Sequence, residues 1–438
     1  MSFKKIIKIT VILGLFFLLY QNNNLQAKSE NLDVLVSNNE DMKKLKQELR
    51  NLDKSFKFTE IPEINFLRIE NPNNKVKDNI KNNNEVKYSG KIASPVIGEN
   101  STESVHKLAE LSIEEELLNN LTWYVNKLTI NKESLKYSSG KNIKIGLIDS
   151  GVDSGHPLIK DSLNLKNAKS FVEGDSSIED KNGHGTMVSG VISQIAPKAE
   201  ITPYKVMSSV DGESLWTLQA MAKAINDKQD ILNISLGTYK TKNIKDEKIT
   251  IEAFKRMVKL AKKNNVLIIS SAGNKQINLD DNYSNHRVLH LPGDIKDVIT
   301  VSATDKLDKL SEYSNTGSVI EFAAPGGKLL IDENGALDAR EMIYTAFPLK
   351  LSNPYSVAGI PNGYTLTYGT SFSAAGITAV YADYYSYYQE RLGKKPKPEQ
   401  ASKNLYKTVT DLGLKGKDNE YGYGLPNLVK AYELLSKK

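Results

Sequence analysis

Four side chains of this sequence have the types that acyl-transfer chemistry requires: Asp149 in LIDSG, His184 in NGHGTMVSG, Asn274 in SSAGN and Ser371 in YGTSFSAAG. A serine hydroxyl attacks a carbonyl group when a neighbouring histidine accepts its proton. A carboxylate can orient that histidine, and an amide can donate a hydrogen bond to the oxyanion that forms. Together the four residue types would suffice for nucleophilic attack on a carbonyl group.

Each residue taken alone also has a structural interpretation. Ser371 begins a predicted helix, so it could equally be an N-cap whose hydroxyl accepts a free backbone N–H. Asp149 could form a turn and Asn274 could cap the next segment. A lone histidine is more often structural, although His184 is the one histidine that begins a predicted helix; the others are His106, His156, His286 and His290, the last two in a polar loop.

The predicted secondary structure would bring these side chains to one edge of a sheet. Near-continuous apolar strands are predicted at residues 143–149, 201–207, 231–237, 266–274 and 298–304, with helices near residues 185–195, 214–228, 250–264, 371–388 and 398–408. This alternation favours an α/β fold whose parallel sheet is covered on both faces. Functional groups in such folds lie at the carboxyl ends of strands, where Asp149 and Asn274 fall.

Five blocks occur in order along this pattern: LIDSG, NGHGTMVSG, NISLG, SSAGN and YGTSFSAAG. In that order they resemble the subtilisin-like serine proteases, or subtilases, and the resemblance spans roughly residues 120–430. It implies a doubly wound, mostly parallel sheet, a small α+β propeptide at the N-terminus, and serine endopeptidase activity. The family hydrolyses peptide bonds through an acyl-enzyme, with a triad in the order Asp, His, Ser.

The resemblance also implies a role for each residue. Ser371 would be the nucleophile, His184 the general base, and Asp149 the group that orients the imidazole. Asn274 and the backbone N–H of Ser371 would form the oxyanion hole. Two segments, which would also serve as ordinary core strands, would bind the substrate as an added strand. They are Ser235, Leu236 and Gly237, and Ser271, Ala272 and Gly273.

Composition and charge exclude other classes of function. With 39% hydrophobic and 25% charged residues the chain is typical of soluble globular proteins. Its net charge of +6 is a mild excess without a basic stripe, so we expect no nucleic-acid partner. The absence of cysteine excludes both disulfide bonds and a thiol nucleophile.

The N-terminus predicts export and maturation. Residues 1–27 combine three lysines, a charge-free stretch from Ile9 to Tyr20 and a cleavage site after Ala27, as in a signal peptide. The apolar stretch is too short to span a membrane, so we expect secretion and no stable membrane anchor after its removal. Residues 28–70 have the length and pattern of the family's propeptide, which assists folding and occupies the cleft. Residues 71–107 are predicted to be an exposed linker near the maturation site, followed by the catalytic domain at residues 108–438.

Two departures from the family pattern affect packing and metal binding. Phe372 and Ala375 replace the usual Met and Pro after the nucleophile, which we interpret as repacking. Many bacterial members hold calcium in a loop inserted after the catalytic histidine, and this insertion is missing here. Leu158 also stands where another calcium ligand is usual. We therefore expect no bound metal and no cofactor.

Within the family, the segments KNGHGTMVSG and LSEYSNTGSVIEFAAPGG resemble the lantibiotic leader peptidases of Gram-positive bacteria, which usually cut after a basic residue. The predicted partners are therefore a peptide or protein substrate such as a lantibiotic precursor, and the chain's own propeptide. Asp280 and Asp281 could pair with an arginine of the substrate, or form a solvated acidic loop tip. Two alternatives remain: a broad-specificity secreted subtilase, and an inactive subtilisin-fold protein that only binds peptides.

Overall fold

The computed structural model describes residues 31–437 except residues 54, 93–119, 210, 243, 284–285, 332–336, 354 and 357–358. The predicted signal peptide, residues 93–107 of the predicted linker and the predicted start of the catalytic domain at residue 108 lie outside the described residues. The chain divides into two compact units at Gly90 and Lys91.

The first unit is a four-stranded antiparallel sheet with two helices. Its elements are β1 (Leu32–Val36), α1 (Asn39–Leu52), β2 (Phe58–Ile61), β3 (Phe66–Ile69), α2 (Asn74–Asn82) and β4 (Val86–Gly90), and the strand order is β2-β3-β1-β4. Helix α1 begins after Asn38, whose side chain accepts the N–H of Asp41. Apolar residues of both helices pack with β1 and β3 in a single core.

The prediction of a linker beginning at residue 71 was wrong for its first twenty residues. Residues 74–82 form α2, and β4 pairs with β1 as an edge strand of the first unit. The Asn- and Lys-rich composition suggested disorder, but Val76 and Ile80 lie four residues apart on one face of α2. Both are buried in the core of the first unit, and their burial stabilises a helix that is otherwise polar.

The second unit contains the remaining described elements. Its strands are β5 (Lys144–Asp149), β6 (Lys169–Ser170), β7 (Glu200–Lys205), β8 (Ile231–Ile234), β9 (Thr238–Thr241), β10 (Leu267–Ser271), β11 (Asn282–Tyr283), β12 (His286–Leu291), β13 (Val298–Thr304), β14 (Ile320–Pro325), β15 (Leu330–Ile331), β16 (Leu337–Asp338), β17 (Ile343–Ala346), β18 (Tyr364–Thr367), β19 (Val409–Thr410) and β20 (Leu425–Pro426). Its α-helices are α3 (Trp123–Leu128), α4 (His184–Ile195), α5 (Ser214–Asn226), α6 (Lys248–Lys263), α7 (Thr370–Leu392), α8 (Pro398–Tyr406) and α9 (Leu428–Ser436).

Among the described residues, a seven-stranded parallel sheet in the order β14-β13-β10-β8-β5-β7-β6 forms the centre of this unit. The predicted doubly wound parallel sheet is therefore confirmed. The five predicted strands and five predicted helices are also confirmed, with ends that shift by a few residues. Strands β8, β10 and β13 are buried along their whole length, as expected when helices cover both faces.

Close packing of α4 against the chain after β5 depends on glycine. A Cβ on Gly185 would lie 2.0 Å from the carbonyl oxygen of Gly151, so a side chain there would force the helix away from the sheet edge. The first turn of α4 therefore lies directly beside the residues that follow β5.

Helix α7 contains a buried acid, Asp383. Asp383 is 0% exposed, and neither of its carboxylate oxygens has a hydrogen-bond partner among the described residues. Burial raises the pKa of Asp383 well above its usual value, so the folded chain retains a proton that the unfolded chain loses as the pH rises above about 4. The native state thus loses stability between that pH and the raised pKa.

We expect Asp383→Asn to raise the melting temperature by several degrees at pH 8 and to leave it nearly unchanged at pH 4. The amide has almost the same shape but carries no ionisable proton, so the difference between the two pH values reports the titration alone. Thermal unfolding of both proteins across this range tests the expectation. An equal shift at both pH values would contradict it.

Candidate active site

The predicted catalytic side chains gather at the carboxyl edge of the seven-stranded sheet. Asp149 is the last residue of β5, and Asn274 follows β10 by three residues. Strand β8 lies between β5 and β10, and Ser235 directly follows it. Three neighbouring strands thus deliver an acid, a backbone segment and an amide to one edge.

Asp149 and His184 form a buried hydrogen-bonded pair. The Nδ1 atom of His184 lies 2.7 Å from Oδ1 of Asp149, which also accepts the N–H of Ser150 at 2.8 Å. The two side chains are 1% and 3% exposed. Because an ionised carboxylate only accepts hydrogen bonds, Nδ1 must carry a proton, and Nε2 is the nitrogen that can act as a base.

The pKa of His184 reflects opposing effects. Burial lowers it, but the charge of Asp149, the hydrogen bond to Asp149 and the charge of Asp180 together outweigh burial and leave the pKa above its usual value. A base of this kind loses its proton-accepting form at a higher pH than an ordinary histidine. Activity that depends on it should therefore decline early as the solution becomes acidic.

Ser371 is the second residue of α7 and forms two hydrogen bonds with Ser235. The Ser371 hydroxyl donates to the carbonyl of Ser235 at 2.9 Å, and the Ser235 hydroxyl donates to the carbonyl of Ser371 at 2.9 Å. In the described part of the chain no hydrogen bond joins Ser371 to His184. Catalytic hydrogen bonds are often long or absent until substrate binds, so the hydroxyl remains a candidate nucleophile.

Asn274 is oriented as a hydrogen-bond donor. Its Oδ1 accepts the backbone N–H of Thr370 at 3.0 Å and the Thr370 hydroxyl at 2.6 Å. The oxygen is thereby engaged, so the Nδ2 group can donate elsewhere. The N–H of Ser371 lies in the first turn of α7, where no intrahelical carbonyl is available and the helix dipole favours negative charge. The two donors can stabilise an oxyanion.

The two predicted substrate-binding segments end at glycines that face polar rings. A Cβ on Gly237 would lie 2.3 Å from Nε2 of His290, and a Cβ on Gly273 would lie 2.4 Å from the hydroxyl of Tyr239. The two rings contact each other, with centroids 4.8 Å apart. The sequence placed His290 in a polar loop, but the structure places it in β12, paired with Tyr239 of β9. The apolar residues Val288, Leu289 and Leu291 were the available signal.

Both of these rings are uncharged near neutral pH. Burial lowers the pKa of His290 to about 4, opposed by its hydrogen bond to the backbone carbonyl of Ser271 and aided by the charge of Lys275. Burial raises the pKa of Tyr239 to about 12. The space beside the two glycines is therefore bordered by a neutral imidazole and a neutral phenol.

The acidic loop after Asn274 binds groups of the chain itself. Asp280 accepts the N–H of Ser318 at 2.6 Å and lies 3.4 Å from the guanidinium of Arg287. Asp281 accepts a hydrogen bond from the side chain of Asn278. These contacts give Asp280 a structural role within the loop.

The described residues include no group of three or more His, Asp or Glu side chains that could hold a metal ion. The expected absence of a metal stays a prediction. No helix in the described part of the chain is long and apolar enough to cross a membrane.

The chain is similar to known proteases. The subtilase family model matches residues 140–424. The epidermin leader peptide-processing serine protease of Staphylococcus epidermidis is 29% identical over 74% of this chain and 78% of its own. A solved lanthipeptide protease is 36% identical, with a TM-score of 0.70 over 74% of this chain and 97% of its own. The solved epidermin leader peptide-processing protease of Staphylococcus aureus is 26% identical, with a TM-score of 0.75 over 94% of this chain and 100% of its own.

Proposed function

This chain belongs to the subtilase family and is a serine endopeptidase, and we propose that it cuts peptide bonds with Asp149, His184 and Ser371 as its triad. The observation that carries the proposal is the buried 2.7 Å contact between Asp149 and His184 at the sheet edge. The start of α7, with Ser371 in its first turn, supplies a hydroxyl of the required type.

The proposed reaction passes through an acyl-enzyme. When a peptide enters, the Ser371 hydroxyl leaves the carbonyl of Ser235, gives its proton to Nε2 of His184, and its oxygen bonds to the substrate carbonyl carbon. His184 then protonates the leaving amine as the C–N bond breaks. Water attacks the ester, His184 accepts the proton of that water, and the proton returns to Ser371 as the acid product leaves. Asp149 holds the Nδ1 proton and stabilises the imidazolium throughout.

The proposed oxyanion hole gives a separate expectation. Asn274→Leu keeps the side-chain size but removes the Nδ2 donor, so we expect kcat to fall by about 10²–10³, with little change in KM. Steady-state kinetics on a cleavable peptide measures the effect. Asn264→Leu, at the exposed end of α6, is the control and should keep wild-type kcat. Equal kcat values for the Asn274 variant and wild type would remove Asn274 from the oxyanion hole.

For the substrate, we propose the leader segment of a lantibiotic precursor, cut after a basic residue. The support is the resemblance within the sequence and the names of the similar proteases, which process epidermin leader peptides and lanthipeptides. An extended leader would pair with Ser235–Gly237 and Ser271–Gly273 as an added strand. A leader peptidase should cleave a leader–core peptide far faster than the same residues in scrambled order. Similar rates would favour a broad-specificity subtilase.

We further propose that the protein is secreted and made as a zymogen. Residues 1–27 would direct export, and the first unit would be the propeptide, which assists folding and inhibits the enzyme until it is removed. The support is the compact α+β fold of residues 32–90 and the division of the chain after Gly90. Cleavage is then expected on the C-terminal side of Gly90, between residues 91 and 121.

A fluorophosphonate probe tests the proposed nucleophile directly. The Ser371 oxygen of the wild type should displace fluoride from the probe, and mass spectrometry should locate one added phosphonyl group on Ser371. His184→Ala should label at least a hundredfold more slowly because the base is gone. Failure of the folded wild type to label would favour an inactive protein that only binds peptides.

A further inference from the structure

Asp180 is a buried acid, and both of its carboxylate oxygens accept hydrogen bonds. It is 2% exposed and lies in the loop before α4. One oxygen accepts the N–H of Gly183 at 2.7 Å, the N–H of Asn182 at 3.0 Å and the hydroxyl of Ser150 at 2.9 Å. The other accepts the N–H of Thr186 at 2.9 Å and the Thr186 hydroxyl at 2.7 Å. This carboxylate therefore receives five hydrogen bonds.

These bonds connect the segment that carries Asp149 to the helix that carries His184. Ser150, the neighbour of Asp149, donates its hydroxyl to Asp180 and accepts the N–H of Gly185 at 2.9 Å on the same oxygen. The hydroxyl of Thr186 likewise accepts the N–H of Asp153 at 3.0 Å. Each hydroxyl bridges the two segments, and both bridges end on Asp180.

The start of α4 needs such an external acceptor. Its N-cap is Gly183, which has a φ of 102° and no side chain to cap the helix. A Cβ at that position would lie 2.6 Å from the ring of Phe347, so packing excludes a capping side chain there. The carboxylate of Asp180 accepts the N–H groups of Gly183 and Thr186, and its negative charge lies where the helix dipole favours it. The N–H groups of His184 and Gly185 are bound by the side chains of Asn182 and Ser150.

We propose that Asp180 is a positioning residue: it fixes His184 relative to Asp149 by binding the first turn of α4 and Ser150 at the same time. The inference rests on the proposed triad. Without this carboxylate the first turn of α4 and the end of β5 would lose their shared acceptor, and the imidazole would spend less time in the geometry that accepts the Ser371 proton.

The charges around His184 give the proposal a second readout. Asp149 on β5 and Asp180 in the loop face His184 with negative charge, and the Phe372 ring of α7, 5.9 Å away, is uncharged. On the neighbouring strand β7, Lys205 pairs with Asp175 at 2.9 Å. Removing the charge of Asp180 should lower the pKa of His184 and move the acid limb of kcat/KM to lower pH. A purely structural residue would not move that limb.

The test compares Asp180→Asn with wild type and with Asp175→Asn. Asp175 lies in the same loop and binds Lys181 and Lys205, so its variant reports general loosening of that loop. With rates expressed per fluorophosphonate-titrated site, we expect Asp180→Asn to lower kcat by about 10–100-fold and to leave KM within about twofold. The acid limb should shift to lower pH in Asp180→Asn but not in Asp175→Asn.

Unchanged kcat per site and an unchanged acid limb in folded Asp180→Asn would overturn the proposal. If Asp180→Asn does not fold, Ser150→Ala tests the proposal instead. It removes the hydroxyl that bridges Asp180 and Gly185 but keeps the carboxylate of Asp180. A severalfold loss of kcat per site at constant KM supports the proposal, and wild-type kcat overturns it. Failure of the proposed triad itself would appear differently, as a wild type that neither labels nor cuts peptides.

Discussion

Replacing Ser371 with alanine is expected to lower kcat for peptide hydrolysis on the order of 10⁶-fold, because no acyl-enzyme can form without the hydroxyl. The fold should persist, since the change removes one oxygen whose described hydrogen bond goes to the carbonyl of Ser235. Hydrolysis of a peptide substrate, measured over many hours, gives the residual rate. Circular dichroism and thermal unfolding establish that the variant is folded.

Ser373→Ala is the matched control for this experiment. Ser373 lies two residues further along α7, is fully buried, and donates its hydroxyl to the carbonyl of Ala324 at 2.9 Å. It should lose some thermal stability but keep kcat within severalfold of wild type. Loss of activity in both variants to the same degree would mean that α7 is merely sensitive to substitution, and the role of Ser371 would have to be abandoned.

The same variant tests maturation. If the protein cuts itself, wild type should accumulate with a new N-terminus on the C-terminal side of Gly90, while Ser371→Ala keeps its first unit. Adding a trace of wild type should then convert the variant, because its cleavage site is intact. A Ser371→Ala protein that matures alone in pure form would show that self-cleavage is not required.

Asp149→Asn is expected to lower kcat by about 10⁴-fold. The asparagine amide can donate to Nδ1 of His184, which would move the ring proton to Nε2 and remove the lone pair that must accept the Ser371 proton. The kinetics should show a fall in kcat with KM nearly constant, since the side chain of Asp149 is buried.

The pH profile of Asp149→Asn provides an independent check. The charge and hydrogen bond of Asp149 raise the pKa of His184 against the effect of burial, so their loss should move the acid limb of the residual activity to lower pH. Asp153→Asn is the control, because Asp153 lies in the same segment but binds the N–H groups of Gly155 and Leu349. A fall in kcat below tenfold for Asp149→Asn would contradict its place in the triad.

The sequence could predict where the four candidate site residues lie, because each lies at or near an element boundary that the hydrophobic pattern marks. Asp149 ends an apolar strand, and Ser371 begins an apolar helix. The sequence could not predict the proposed role of Asp180, since its partners are mostly backbone N–H groups that only the folded loop brings together. The sequence did not place His290 in a strand, because three of the six residues of β12 are histidine or arginine and its partner Tyr239 lies about fifty residues away.

The error at residues 71–90 has a different physical cause. Helix α2 presents only Val76 and Ile80 to a core, too little for the composition to predict order, but the sheet of the first unit supplies the remaining apolar surface. The replacement of Met by Phe372 is accommodated as repacking, because its ring is buried and lies beside His184. Tertiary contacts, rather than the local sequence pattern, determine both the order of residues 71–90 and the packing of Phe372.

The most direct test of Ser371-dependent peptide cleavage is mass spectrometry of a mixed peptide library incubated with wild type and with Ser371→Ala. The measurement identifies every new cleavage end. We expect new ends only with wild type, mainly after a basic residue and in a few sequence contexts. Cleavage after many residue types would retain the endopeptidase but contradict the leader peptidase. The absence of any Ser371-dependent cleavage by folded, mature wild type would contradict the proposal that Ser371 is the nucleophile.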